Sequence, residues 1–337
     1  MRRTRIEIMD IAERSNLALA SWKAARGKRS RPEVAKFLDQ LDAELDRLAE
    51  ELLSGRAPRG EYRSFYITDP KRRLIHAACF PDRVLHHAIL NLAEATFERS
   101  LVDSSFACRP GRGVHAAIRH GQGLLRRWPW YVKVDVEGYF PAIGHERLLA
   151  LLARRFKGAD FLALLERIVR ACPAGPGRGL PIGALTSQHF ANLYLDGADR
   201  FLLAHPRVCG HLRYMDDILW MCESREAARR SLEQFAEWLG EERGVRLKPE
   251  TQINRSVHGV SYCGIRILPG SLRLSARKRM RYVKGRAAWE RAWAEGGIEA
   301  AALQQGFDAV LATTLHADAR NWRAAELILH GTRYNGV

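Results

Sequence analysis

Acidic residues are scarce in this 337-residue chain: 38 Asp and Glu stand against 54 Lys and Arg, a formal net charge of +16. With 47% hydrophobic residues, that imbalance excludes an acidic disordered chain and points to a folded surface for a polyanion. Clustered cysteine is also missing. Cys79, Cys108, Cys172, Cys209, Cys222 and Cys263 lie far apart, with no Cys-x-x-Cys and no nearby Cys/His set. Zinc-finger and disulfide scaffolds are thereby excluded, and small buried thiols in a reducing compartment are expected. Neither His76 nor the pair His86–His87 supplies zinc-ligand spacing. No unbroken apolar run reaches the roughly 18 residues of a membrane span, and there is no lipidation signal. The start, Met1 to Arg5, is basic but lacks the apolar core and cleavage site of a signal peptide. A cytoplasmic location is expected, with nucleic acid preferred to an acidic membrane as the polyanion. The length allows a large core and two or three subdomains.

What is present centres on Arg213-Tyr214-Met215-Asp216-Asp217-Ile218-Leu219-Trp220, adjacent carboxylates between apolar strand-forming residues. Side chains alternate along a strand, so neighbouring aspartates face one point only where the chain reverses. The pattern predicts a hairpin with its acids at the tip, where mutual repulsion favours a cation and hard oxygen donors suit Mg²⁺. A plain polar surface turn is the alternative. Upstream, the β-rich run Trp130–Val134 ends in Asp135, before Gly138 and Pro141 interrupt it. Asp135, Asp216 and Asp217 together would make a carboxylate set for two metals about 3.5–4 Å apart, as in-line phosphoryl transfer requires.

Asp135-x-x-x-Tyr139-Phe140, followed about eighty residues later by Tyr214-Met215-Asp216-Asp217, resembles the catalytic palm of a reverse transcriptase. Further blocks extend the likeness from about residue 60 to 330. A strand at Tyr62–Thr68, a basic turn Asp69–Arg73, a strand from Leu74 and a helix over Asp82–Leu90 resemble the fingers. There the resemblance implies that Arg73, with Lys71 and Arg72 nearby, holds the incoming triphosphate; without it these are solvated hairpin charges. The loop Ser105–His115, with Arg109 and Arg112 beside glycines, is similar to the family's template-side loop and also fits an ordinary turn into a helix over Val114–Leu125. Gly179–Gln188 resembles the block forming the floor of the nucleotide pocket and leads into a helix containing Phe190, Leu193 and Leu195. Its Ile182-Gly183-x-x-x-Ser187-Gln188 departs from the Gln-Gly and Ser-Pro usual in retron and group II intron enzymes. It looks like the reverse transcriptase of diversity-generating retroelements, within the same superfamily.

Later segments continue the order. Ser224 is expected to cap a helix through Trp238 that ends at Gly240. Gly244–Thr251 resembles the next palm block, with Lys248 displaced from the lysine that related enzymes carry at the place of Thr251. Val260–Ile267, including Gly264, looks like the primer-grip hairpin. Seven basic residues and no acid between Arg273 and Arg286 predict a one-sign helical face, with Arg277 and Arg281 suited to a template–primer duplex.

The fold class expected is α+β, a right-hand polymerase with a helical N-terminal extension over residues 1–58, fingers and palm over 59–265, and a basic helical thumb over 266–337. In the extension, apolar residues from Val34 to Leu52 predict one amphipathic helix starting at Pro32. Trp22–Arg31 is a basic segment that fits either an RNA contact or a solvated loop.

The resemblance implies an RNA-directed DNA polymerase that copies a template-repeat RNA into cDNA with errors at adenines. Asp135, Asp216 and Asp217 would hold two Mg²⁺, with Mn²⁺ as an alternative ion and the Val136 carbonyl as a further ligand. Phe140 would face the sugar, Ile182 and Gly183 would floor the nucleotide site, and Tyr214 and Met215 would lie under the primer end. The partners implied are template RNA, the RNA–DNA hybrid, deoxynucleoside triphosphates and a small basic helical accessory protein, with no membrane. The alternatives are a retron or group II intron-like enzyme, or a non-catalytic RNA-binding relative. On the residues alone, Phe140 also fits core packing at a strand end, and Ile182 an apolar contact before a glycine turn.

Overall fold

The computed structural model describes residues 2–68, 72–173 and 175–329. The chain opens with strand β1 (Thr4–Arg5) and helices α1 (Ile8–Ala12), α2 (Arg14–Ala25), α3 (Pro32–Asp39) and α4 (Leu41–Leu53). Strands β2 (Tyr62–Thr68) and β3 (Arg72–Ala78) lead into the long α5 (Phe80–Ser100), α6 (Val114–Arg127) and β4 (Trp130–Asp135). Then come α7 (Tyr139–Ala142), α8 (His145–Ala153), β5 (Phe156–Lys157), α9 (Ala159–Arg170) and α10 (Leu185–Ala204). The hairpin β6 (Gly210–Tyr214) and β7 (Asp217–Cys222) precedes α11 (Arg225–Trp238), a π-helical turn over Leu239–Arg243, and β8 (Gln252–Arg255). The last part holds β9 (Val260–Tyr262), β10 (Ile265–Ile267), β11 (Leu272–Leu274), α12 (Ala276–Ala294), α13 (Ala300–Ala312) and α14 (Arg320–Leu329).

Two compact units divide the chain, one of residues 1–109, 135–204 and 233–250, the other of 110–134, 205–232 and 251–337. In the first, α2 and α10 pack on α5, and β2 pairs antiparallel with β3. The single helix expected from Pro32 is two, broken at Gln40 (φ −110°, ψ 29°). The break has a packing reason. Phe37 of α3 meets Phe80 of α5 edge to face, with ring centroids 4.9 Å apart, while α4 buries Leu45, Leu48 and Leu52 and packs on α1 and α2. The break lets α3 turn its stripe to α5 and α4 turn its own to α1 and α2 as well. In the basic segment, Trp22–Ala25 belongs to α2, and the Arg29 guanidinium lies 4.6 Å from the centre of the Trp22 ring.

The second unit is built on a four-stranded sheet of order β6-β7-β4-β8 and a three-stranded sheet of order β11-β10-β9. Strand β7 is central, and Ile218, Leu219, Trp220, Met221 and Cys222 are all buried. A strand covered on both faces reads as a continuous apolar run. Helix α6 lies against β6 at Gly121, where an added Cβ would come within 3.0 Å of Leu212 Cδ2. A larger residue there would have to displace the Leu212 side chain.

Ser224 caps α11 as expected, accepting from the Ala227 amide at 3.0 Å. The stop expected at Gly240 is displaced: the π-helical turn carries the chain to Gly244, whose φ of 65° ends it. Arg243 Nε donates to the Tyr194 carbonyl at 2.7 Å, and Arg147 Nη2 to that of Glu241 at 2.9 Å, so two helices hold the wide turn. The basic run also differs from its expectation. Arg273 lies in β11, and Arg286 is a buried member of α12 (3% exposed) paired with Glu290 at 3.5 Å.

Candidate active site

The hairpin expected around the paired acids is present. Tyr214 pairs with Asp217, leaving Met215 and Asp216 as a two-residue turn. Met215 has a φ of 57°, a conformation that costs a non-glycine residue about 1–2 kcal/mol. Two neighbours secure it. Arg213, fully buried at 0% exposure, donates from Nη1 to the Met215 carbonyl at 3.0 Å. Tyr262 on β9 donates its hydroxyl to the Asp217 carbonyl at 2.7 Å. Burial first, and the Asp217 charge second, push the Tyr262 phenol well above the usual tyrosine value, so it remains a donor. The same two causes push the Cys263 thiol up to about 12. Lys133 on β4 reaches Asp217, its Nζ 3.3 Å from Oδ1.

Asp135 closes β4, and its environment in the first unit is set by the segment Arg246–Lys248. The Lys248 ammonium pairs with the Asp135 carboxylate. Its amide donates to the Asp135 carbonyl at 2.9 Å, and the Glu137 amide to the Arg246 carbonyl at 2.8 Å. Val136 is buried between these bonds and bridges Leu247. Lys248, displaced in sequence from the expected lysine, is therefore in direct contact with Asp135.

Beyond it, Gly138 (φ 49°) turns the chain into α7. The Phe140 carbonyl accepts from the Leu180 amide at 2.9 Å, and His145 Nε2 lies 2.8 Å from the Gly179 carbonyl. Two residues on, the Ile182 carbonyl accepts from the His76 amide of β3 at 3.0 Å. Gly183 (φ 117°) passes so near that an added Cβ would meet Ile75 Cγ2 at 3.2 Å. Half-buried Phe140 and Ile182 and the base of the β2–β3 hairpin are thus brought to one corner. Arg73 and Arg72 lie further toward the hairpin tip, exposed, with the Arg72 guanidinium 4.0 Å from the centre of the Tyr66 ring. Lys71 lies outside the described residues.

The loop before α6 requires a correction. Arg109 is not an outward phosphate contact: it is 9% exposed, its Nε bonds both Glu98 carboxylate oxygens at 2.9 Å, and its Nη1 donates to the Val102 and Ser105 carbonyls at 2.6 and 2.7 Å. A buried guanidinium that fixes a loop cannot also track a strand outside it. Arg112 is half-buried. Sequence reasoning missed what anchors this loop to α10: Cys108 Sγ contacts Gln188 Oε1 at 3.1 Å and Asn192 Nδ2 donates to the Ala107 carbonyl at 2.7 Å. The four-residue spacing of Gln188 and Asn192 on one helix face is the signal that could have shown it. Gly264 (φ 74°) follows Cys263 (φ 48°) in the tight β9–β10 turn, with Lys278 of α12 passing alongside. Arg277 and Arg281 are exposed one turn apart on α12.

The sequence pattern described as reverse transcriptase (RNA-dependent DNA polymerase) matches residues 68–267. The fold class is α+β, the right-hand polymerase fold. The chain belongs to the reverse transcriptase family. It is 30% identical over 176 residues to Protein YkfC of Escherichia coli K12, a match covering 48% of this chain and 46% of that protein. It is 27% identical over 139 residues to the group II intron-encoded protein LtrA of Lactococcus lactis subsp. cremoris, covering 40% of this chain and 23% of LtrA. A solved telomerase from Candida tropicalis aligns with a TM-score of 0.49 and 11% identity, over 80% of this chain and 55% of that one. The chain spans less than half the length of the two curated relatives. Among the described residues no helix is long and apolar enough to cross a membrane.

Proposed function

We propose that this chain is an RNA-directed DNA polymerase that copies a template-repeat RNA into cDNA with errors at adenines, in a diversity-generating retroelement. The observation that carries the polymerase reading is the Tyr214–Asp217 hairpin tip, two adjacent acids on a strained and braced turn, in a chain of the reverse transcriptase family. Among the described residues no three His, Cys, Asp or Glu side chains are gathered for a metal. Mg²⁺ does not demand such a cage, because it keeps waters and takes one or two carboxylates together with substrate phosphates. The donor set fits that chemistry: the acids are hard oxygen donors, and Asp135 and Asp217 keep exchangeable lysine cations on them. Held by Asp135, Asp216 and Asp217 with the Val136 carbonyl, two Mg²⁺ or Mn²⁺ would activate the primer hydroxyl and stabilise the triphosphate and leaving pyrophosphate.

The chain's own residues supply the rest of the proposed site. Lys71, Arg72 and Arg73 bind the triphosphate, Phe140 faces the sugar, Ile182 and Gly183 floor the nucleotide position, and Tyr214 and Met215 support the primer end. Arg112, Gly264, Arg277 and Arg281 lie along the nucleic acid. We take residues 1–58 as a helical extension, 59–265 as fingers and palm, and 266–337 as the thumb. A small basic helical accessory protein is the expected partner, and the cytoplasm the expected location. Primer extension on a defined RNA template is the test, and absence of deoxynucleotide incorporation under both Mg²⁺ and Mn²⁺ rejects the activity.

Two variants examine the details. Phe140→Ala opens space beside C2′ and is expected to raise ribonucleotide relative to deoxyribonucleotide incorporation; equal loss of both assigns Phe140 to packing alone. Ile182 offers no side-chain hydrogen bond where most related enzymes have glutamine. A bond worth about 0.5–1.5 kcal/mol that favours well-placed pairs corresponds to about threefold to tenfold in discrimination. Ile182→Gln is therefore expected to lower misincorporation opposite template adenine more than opposite other bases. Sequencing the cDNA reads the effect, and an unchanged adenine error spectrum removes Ile182 from the account. A faithful group II intron-like enzyme is the second reading, favoured by the similarity to LtrA; uniformly low errors in the parent protein would select it.

A further inference from the structure

Asp216 and Asp217 place two carboxylates on consecutive residues of a turn whose strands are otherwise buried. Like charges this close destabilise the turn unless a cation offsets them, and the offset matters more where water is sparse. The second unit supplies two cations from within its sheet, Arg213 on β6, which bonds the Met215 carbonyl, and Lys133 on β4. Lys133 is an interior residue of β4, its side chain 19% exposed, and it spends its ammonium on Asp217 Oδ1 at 3.3 Å. Its Nζ also lies 5.9 Å from the centre of the Tyr262 ring, within cation–π range. Tyr262 in turn holds the Asp217 carbonyl, so one residue is held through its backbone by the phenol and has its carboxylate within ion-pair distance of the lysine. A lysine used only to cover a sheet would extend its amine to water. This one turns inward to an acid.

We propose that Lys133 is a positioning residue, the built-in counter-ion of Asp217, which holds the acid turn formed without divalent metal and gives up the carboxylate when metal binds. The inference rests on the polymerase reading of the acids. It assigns Lys133 two opposed effects that a packing residue does not have. Without metal, its charge stabilises the turn. With metal, the same charge opposes a dication at the same carboxylate. Removing the charge while keeping a polar side chain therefore lowers stability in the absence of metal and tightens metal binding.

The test uses the full chain without nucleic acid, comparing the parent protein with Lys133→Gln, Lys133→Arg and Asp216→Asn. Thermal unfolding is followed with chelator and with saturating Mg²⁺, and Mn²⁺ binding is measured from the electron paramagnetic resonance signal of the free ion. For Lys133→Gln the expected result is a midpoint lowered in chelator and largely restored by Mg²⁺, because a ligand that binds only the folded chain stabilises it. Its Mn²⁺ dissociation constant is expected to fall about tenfold, the scale of removing one nearby like charge. Lys133→Arg, which retains the charge, is expected to follow the parent protein. A midpoint lowered equally in chelator and Mg²⁺, with unchanged Mn²⁺ affinity, overturns the proposal and makes Lys133 a packing residue. The two readings fail differently: if the parent binds Mn²⁺ and Asp216→Asn loses it while Lys133→Gln changes nothing, only the role of Lys133 is wrong. If the parent binds no Mn²⁺, the metal reading falls and this proposal with it.

Discussion

Asp216→Asn leaves the protein folded and RNA affinity within about twofold, while nucleotide incorporation falls by about three orders of magnitude or more. The substitution keeps size and shape but removes the charge that makes the turn a dication ligand. Asp135→Asn is expected to behave in the same way, although for a second reason it is the more complex variant. Asp135 also partners Lys248, and a neutral amide there leaves an ammonium without its carboxylate. The clean comparison is therefore at Asp216, with single-nucleotide extension measured under Mg²⁺ and RNA binding measured separately. Normal extension by both variants would dismiss the palm assignment. Equal loss of extension and RNA binding would instead indicate a folding defect, which circular dichroism would register.

The second large effect is on stability and concerns Arg213. Its guanidinium is fully buried and donates to the carbonyl of Met215, the residue with positive φ. Arg213→Met removes the donor and keeps much of the apolar stem. Losing a buried hydrogen bond from a charged donor costs about 1.5–3 kcal/mol, and here the strained turn loses its brace as well. The expected outcome in chemical denaturation is a large loss in the unfolding step of the hairpin-bearing unit, with incorporation reduced in parallel. Arg213→Lys keeps the charge without the planar fork and is expected to lose less. A change below about 1 kcal/mol in Arg213→Met would put the residue among ordinary surface substitutions and refute the brace.

The parts of the structure governed by neighbours in sequence were readable from it. Strand β2 spans Tyr62–Thr68 as expected, Ser224 caps α11, and the paired acids lie at a hairpin turn. What could not be read depends on residues far apart in the chain. Val34–Leu52 has one continuous helical period, and the break at Gln40 follows from the different neighbours the two halves pack on, α5 for α3 and α1, α2 and α5 for α4. Arg109 looks like a phosphate ligand beside glycines until Glu98 and two carbonyls take up its donors. Lys133 and Lys248 each sit among ordinary strand or loop residues, and nothing local announces that both end on aspartates. Charge near a candidate site is visible in sequence, but the sharing of that charge among partners is a property of the packed state.

The wide turn at Leu239–Arg243 makes chain length itself a gauge. A π-helical turn accommodates one residue more than the α-helical path it interrupts, and here it is fastened to its surroundings by Arg243 on Tyr194 and Arg147 on Glu241. Only three residues separate the closing Gly244 from Asp135's partner, Lys248. Dropping one residue from this stretch would let the helix tighten to the α-helical path and would cost it the bonds to Tyr194 and Arg147 that its width sets up. Surface loops ordinarily absorb insertions and deletions at little cost, but this one counts residues, and natural length variation should fall on either side of it rather than within it.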